Sequence, residues 1–538
     1  MKSAISKAAA LLTICGILLS ACGTNLWGGT DPVPTLETAT LPSTSPVGPA
    51  DPGATATSTD TPIPSFTPGL PTEAITPGDS VTAVASPTGL QSSATSTPVQ
   101  PVISYVSQSG DSLNVVAIHF SVEPSEITSG SPLSALGFIN PGTQLFIPNR
   151  LAGTPTTPAQ AIIPDSELVD SPTSVGFDIP GYVNSAGGKL TTTKDYMDTV
   201  GWLSGADGII RMSEGSSISP KLLLALIQYY TGYVQGQPKP GVDEKYILGY
   251  KNPNYPGLYQ QMRLMVMDLL SGYYGWRAGT LTELTFPDGT NLRIAPGLNA
   301  GTVALQYMFS KKLNYADWMK AIDPQTGFIS LYKSMFGDPW VRANELGPLF
   351  PPNLSQPTFT LPFEVGALWA FTGGPHPAWE AETSLGALDF APAMAAPGCG
   401  VSNAWVLAIS GGQIVRSGSG FVVLDLDGDG FEQTGWVVIY QHIATKDRVP
   451  VGTWVNVGDR IGHPSCEGGV ATGTHVHIAR KYNGEWVGAG DPLPFVLSGW
   501  TAHYGDAPYH GTLTKGDQTI IANQAATHES QIIRKPDE

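Results

Sequence analysis

The 538-residue chain is short of charge, of cysteine and of long apolar runs, and each shortage closes off a class of protein. Charged residues make up 13% of it, with 27 Lys+Arg against 44 Asp+Glu and a formal net charge of -17. A nucleic-acid binder needs a basic footprint to displace counterions, so that class is disfavoured at once. Four cysteines are too few for a disulfide-dense scaffold; they can supply one anchor and one bridge. Past the leader no stretch is apolar enough, for long enough, to span a bilayer. Lys and Arg are missing between Lys7 and Arg150, and from 23 to 100 the only aromatics are Trp27 and Phe66. That Pro-, Thr- and Ser-dominated stretch cannot bury enough apolar surface to offset chain entropy, so residues 23–100 are expected to form a disordered, extended tether. Gly (62) and Pro (47), by contrast, are plentiful, which suits an exported protein with long irregular segments. The length predicts roughly two to four domains.

The first 22 residues read as an address. Lys2 and Lys7 precede a short apolar run, Ala8 to Leu19, too brief to cross a membrane and typical of a signal peptide. The run ends in Leu19-Ser20-Ala21-Cys22, which resembles a bacterial lipobox. The resemblance implies cleavage before Cys22, acylation of that residue, and an extracytoplasmic, membrane-anchored lipoprotein. An ordinary secretory signal with an incidental cysteine is the alternative.

Residues 101–151 open with Tyr105-Val106 and a turn at Gly110-Asp111. A helix follows, capped by Ser112 or Asp111, with Leu113, Val116, Ala117 and Phe120 at helical spacing. They close with Asn140-Pro141-Gly142-Thr143 and an apolar strand, Leu145 to Ile147. This layout resembles a LysM domain, a small α+β fold of strand, two helices and strand, with one extra residue before Gly110. The resemblance implies a module that binds the glycan of peptidoglycan; a spacer fold without ligand is the plainer reading. His119 is expected on the helix surface.

Residues 162–360 carry the helical patterns: Ile218 to Val234 with Ser219 as N-cap and Pro220 at the first turn, Gln260 to Tyr274, Gly301 to Phe309, and Tyr315 to Ile322. The first faintly resembles lysozyme-like lytic transglycosylases, but Tyr230-Thr231 stands where their catalytic Glu-Ser would fall. A tyrosine cannot replace the protonating carboxyl group, so this mainly α domain is read as inactive, or as an unrelated helical spacer. Asp243 and Glu244 are read as solvated surface.

Five of the nine histidines fall between 376 and 477. Phe371 to Trp379 reads F-T-G-G-P-H-P-A-W, Ser384 to Pro392 reads S-L-G-A-L-D-F-A-P, Val437 to Ile443 reads V-V-I-Y-Q-H-I, and Gly473 to Ala479 reads G-T-H-V-H-I-A. The short β-branched runs between Gly turns indicate antiparallel β-structure. Residues two apart on a strand share a face, so His475 and His477 should enter one cleft. Catalytic zinc takes three protein ligands and keeps a fourth position open, and His376, Asp389 and His477 supply a His2Asp set. His442 and His475 remain for proton transfer and oxyanion stabilisation. Together these elements resemble the lysostaphin/LytM-type zinc endopeptidases, nearer the LasA or β-lytic branch, over 362–498. That branch separates its first His and Asp widely; here they stand 13 apart, against four in most LytM-type members. The resemblance implies one Zn2+ per chain held by His376, Asp389 and His477, with His442 and His475 as catalytic histidines. His463 is read as a loop residue.

Cys399 and Cys466 both lie in this region, and an oxidising compartment predicts a disulfide between them, a free thiol pair being the alternative. Asp425, Asp427 and Asp429 have the spacing of a calcium loop, but Trp436 occupies the position where a Glu is wanted, so a plain acidic hairpin is a better reading than a Ca2+ site there. The tail, 499–538, turns polar after Tyr509 and is expected to end loosely. Taken together, the chain is read as a multidomain peptidoglycan hydrolase, bound to glycan through LysM and to peptide through the peptidase domain. The rival readings are a lipoprotein that activates separate wall amidases and a purely adhesive one. Oligomeric state has no signature in the sequence.

Overall fold

The structure is a computed structural model that describes residues 101–197, 200–379, 381–393 and 398–536. The leader, Cys22 and the expected tether lie outside the described residues. Among those described, no helix is long and apolar enough to cross a membrane.

The N-terminal module pairs β1 (Val102–Val106) with β3 (Gln144–Pro148), while β2 (Thr128–Ser129) takes the other edge of β3. Helix α1 (Leu113–Phe120) begins where the Ser112 side chain accepts from the Val115 N–H. It packs Val116, Ala117 and Phe120 onto Leu145 and Ile147. The expected second helix is reduced to a three-residue 3-10 turn, Pro124–Glu126. Gly130, Pro132 and Gly137 interrupt the following stretch and deny it a helical run. His119 also departs from expectation. It is buried, 4% exposed, and stacks on Trp276 of the next module with ring centroids 3.5 Å apart. Arg293 donates to the carbonyls of Ile118 and His119 at 3.1 Å, and Arg277 donates to the Ser109 carbonyl beneath the Gly110 turn.

The middle is helical, as the periodicity predicts. It contains α2 (Asp165–Leu168), α3 (Ile179–Ala186), α4 (Gly205–Ser216), α5 (Pro220–Thr231), α6 (Gly257–Arg277) and α7 (Ala300–Ser310). It continues with α8 (Tyr315–Ala321), α9 (Phe328–Phe336) and α10 (Pro339–Leu346). Two hairpins interrupt them, β4 (Lys194–Met197) with β5 (Gly201–Ser204) and β6 (Glu283–Thr285) with β7 (Asn291–Arg293). Ser219 caps α5, Pro220 sits in its first turn, and Gly232 ends it at a φ of 69°. Tyr230, on α5, lies under the Lys312 ammonium, 4.0 Å from the ring centroid.

The last third is built on an antiparallel sheet. In chain order its strands are β8 (Leu368–His376), β9 (Ala387–Pro392), β11 (Gly412–Gly418), β12 (Phe421–Asp425), β13 (Trp436–Gln441), β14 (Trp454–Val455) and β16 (Val476–Tyr482). The short β10 (Val406–Leu407) and β15 (Arg460–Gly462) pair separately, and β17 (Glu485–Trp486) hairpins onto β16. The spatial order is β14-β11-β12-β13-β16-β9-β8, closed at the β8 edge by β22 (Gln531–Ile533). Strand alternation splits the core in two. Phe421, Val423, Ile439 and Ala479 face the helical layer, whereas Val422, Leu424, Val438 and Ile478 face a second core with Phe359, Leu361 and Phe363. The tail is not loose. Residues 496–521 form a four-stranded sheet of β18 (Val496–Leu497), β19 (Trp500–Tyr504), β20 (Gly511–Lys515) and β21 (Gln518–Ile521). Trp500, Leu513, Ile520 and Ile532 all enter the second core, and a few spaced apolar groups suffice for this because each meets a prepared surface.

Candidate metal centre

Three neighbouring strands bring the predicted ligands together. Asp389 on β9 sits directly opposite His477 on β16, and β9 also pairs with β8, which ends at His376. The β8–β9 register slips on both sides of Gly373, and bulges of this kind re-aim side chains. Gly373 itself is needed, since a Cβ there would lie 2.6 Å from Asp389 Oδ2. His376 Nε2 and His477 Nδ1 are 3.0 Å apart, and Asp389 Oδ1 lies 3.3 and 3.2 Å from them. All three side chains are buried.

The outward-facing ring nitrogens fix what the inward ones can do. His376 Nδ1 meets the Gly374 carbonyl at 2.8 Å, and His477 Nε2 meets the Ala378 carbonyl at 3.1 Å. A carbonyl only accepts, so each outer nitrogen carries the proton and each inner nitrogen presents a lone pair. Asp389 Oδ1 is buried without a hydrogen-bond partner among the described residues. Two lone pairs and a carboxylate oxygen therefore converge with no donor among them, an arrangement that a cation satisfies. The pKa directions agree. Burial opposes charge on both partners, yet His376 is raised by the Asp389 charge and its hydrogen bonds, and Asp389 is held well below the usual carboxylate range by His376 and His475. A field that favours a further proton at His376 Nε2 would equally favour a divalent ion in that proton's place.

The two remaining histidines flank this cluster. His442 follows β13 at a φ of 65° and His475 precedes β16, their ring centroids 4.5 Å apart. His442 Nδ1 donates to the Glu467 carbonyl at 2.9 Å and His475 Nδ1 to the Gly473 carbonyl at 2.8 Å, leaving both Nε2 atoms free to take a proton. His475 Nε2 lies 3.7 Å from Asp389 Oδ2. Burial, with repulsion from His475 and His477, pushes the His442 pKa down to about 3, so this ring is neutral at ordinary pH. All five residues named from the sequence thus meet in one place.

Sequence reasoning missed Tyr509, whose ring stacks on His376 at 4.2 Å and 18°. Its backbone is tied to β8, with Gly374 N–H donating to the Tyr509 carbonyl at 2.8 Å. The only signal was an aromatic residue in a polar tail. Cys399 and Cys466 form the expected disulfide, with Cα atoms 5.6 Å apart. His463 lies in a loop as expected, but it is buried and bonds the Ala404 carbonyl at 2.8 Å. Asp425, Asp427 and Asp429 cluster in the β12–β13 hairpin, where burial and the two neighbouring carboxylates push Asp425 up to about 6.

Residues 161–351, the helical middle, match the family model described as the LasA N-terminal domain. Among solved structures, the deep-sea M23 metalloprotease pseudoalterin is 23% identical over 31% of this chain and 96% of its own, with a TM-score of 0.26. The catalytic domain of lysostaphin from Staphylococcus simulans is 24% identical over 24% of this chain and 89% of its own, TM-score 0.17. The catalytic domain of the prophage-encoded M23 protein EnpA from Enterococcus faecalis is 22% identical over 24% and 95%, TM-score 0.18. No curated protein matches the chain.

Proposed function

We propose that the chain is a zinc metalloendopeptidase that hydrolyses peptide bonds in bacterial cell walls. The observation that carries this is the donor-free convergence of His376 Nε2, His477 Nδ1 and Asp389 Oδ1, beside two histidines with free Nε2 atoms. His376, Asp389 and His477 would hold the ion. When bound there, zinc supplies a Lewis acid that polarises a peptide carbonyl and lowers the pKa of water. The carbonyls of Gly374 and Ala378 orient the two ligand rings. His442, neutral and held by Glu467, takes a proton at Nε2 from the attacking water and returns it to the leaving amine. His475 Nε2, on the same side of the cluster, stabilises negative charge developing on the carbonyl oxygen once protonated.

On this reading the bond cleaved is a peptide rather than a glycan. The helical middle presents Tyr230, not a carboxyl group, at the position that suggested glycosidase ancestry. We read the N-terminal module as the part that holds the glycan, the leader cysteine Cys22 as the lipid anchor, and the enzyme as working outside the cytoplasm on an insoluble polymer. Two measurements test the assignment. Purified protein should carry about one zinc per chain by elemental analysis and clear cell walls in a zymogram. Asp389→Asn should lose both while keeping its circular dichroism spectrum; full zinc occupancy in that variant would remove the ligand assignment.

A further inference from the structure

A cavity of about 630 Å³ lies where the N-terminal module, the helices and the sheet domain meet, outside the histidine cluster. That volume falls within the range of small-molecule sites. Its walls are mainly apolar, with Val115 and Phe138 from the first module, Tyr274 from α6, and Leu385 and Trp486 from the sheet domain. No single module makes it.

The charges around the cavity are unequal. Among the described residues Arg277 is the one cation in its lining, and that guanidinium is already committed to Asp165 at 2.9 Å and to Glu485 at 3.0 Å. Glu485 is committed in turn, since it also accepts from the Tyr273 hydroxyl at 2.7 Å. Two further carboxylates line the space, Glu382 and Asp491. Glu382 accepts from Ser271 Oγ at 3.0 Å, and neither carboxylate is paired with a Lys or Arg among the described residues. An anion entering would meet two like charges and no available cation. An ammonium group would meet two carboxylates in a wall that is otherwise mainly apolar.

We propose that this cavity binds a primary ammonium group carried on a short apolar body. Its outer wall, residues 381–385, belongs to the long segment between His376 and Asp389, the feature that sets this chain apart from sequences whose His and Asp stand four apart. That segment is held as a unit. Ala378 N–H donates to the Ser384 carbonyl at 3.0 Å, Trp379 N–H to Thr383 Oγ1 at 3.1 Å, and the Ala378 carbonyl receives His477 Nε2. The additional residues thus build a second site next to the first.

Calorimetric titration of the full, EDTA-treated chain with hexylammonium chloride at pH 7 tests this, and needs no zinc and no hydrolysis. Saturable one-to-one binding is expected, weakened about tenfold or more in a Glu382→Gln, Asp491→Asn double variant and unchanged in Asp389→Asn. Ala278→Trp, at an exposed position in the lining, should abolish binding by filling the space while leaving the melting curve intact. The proposal is overturned if no saturable heat appears, if hexanoate or hexanol binds as tightly, if tri-N-acetylchitotriose binds in place of the amine, or if the double variant binds as the parent does. Because Asp389→Asn removes a proposed metal ligand without touching the cavity wall, binding that survives in it separates this inference from the peptidase reading.

Discussion

Replacing both Cys399 and Cys466 by serine tests the link between the disulfide and the site most directly. The two cysteines are separated by 67 residues, and closing a loop of that length removes enough chain entropy from the unfolded state to stabilise the fold by about 4 kcal/mol. That is a large share of the roughly 5–15 kcal/mol typical of a folded domain. The bridge also sits beside His442. Cys466 stands between Ser465, whose N–H and Oγ donate to the His442 carbonyl at 2.7 and 2.9 Å, and Glu467, whose carbonyl holds His442 Nδ1. Urea unfolding of the double variant against the oxidised parent should show a loss of about 3–5 kcal/mol, and cell-wall clearing should fall by more than the folded fraction accounts for. A loss below about 1 kcal/mol would refute the entropic reasoning. Clearing that merely tracks the folded fraction would refute the placement of His442.

Other outcomes follow from the packing between modules. Burial against Trp276 pushes the His119 pKa down to about 3, so the unfolded chain binds a proton there from about pH 6.5 downward while the native chain does not. His119 therefore contributes stability that is complete above about pH 6.5 and is lost as pH falls toward about 3, at up to about 1.4 kcal/mol per pH unit. His119→Gln should flatten this acid limb in urea titrations at pH 7, 5.5 and 4.5; parallel curves for parent and variant would count against it. Gly215, on α4, touches the Trp379 indole so closely that a Cβ would lie 2.7 Å from its ring. Gly215→Val should cost about 1–3 kcal/mol and red-shift tryptophan emission, and an unchanged melting temperature would show that the helical layer does not press on this segment.

The site was more legible than the architecture around it. His475 and His477 stand two apart on one strand, and the short motifs around His376, Asp389 and His442 each carry local chemistry, so their convergence could be inferred without knowing the sheet order. Likewise the Ser219-Pro220 start of α5 is a local signal, and the helix begins there. Contacts between modules left no such trace. Nothing next to His119 in the sequence announces Trp276, and an isolated helix with that periodicity would expose the ring. Tyr509 and Ile532 were hidden for a related reason. Single apolar residues in a polar tail carry no period, yet one stacks on His376 and the other, on the edge strand β22, enters the second core. The second helix of the first module failed differently, because Gly130, Pro132 and Gly137 outweighed the family resemblance.

The pairing of β22 with β8 has a consequence for how the protein is made. The strand that ends in His376 has β9 on one side and, on the other, residues that leave the ribosome more than 150 positions later. Until they arrive, that strand is an open edge able to recruit foreign chains. Translation must therefore pass residue 533 before the sheet acquires this border, so a nascent or clipped polypeptide that lacks β22 exposes an edge that the longer one covers.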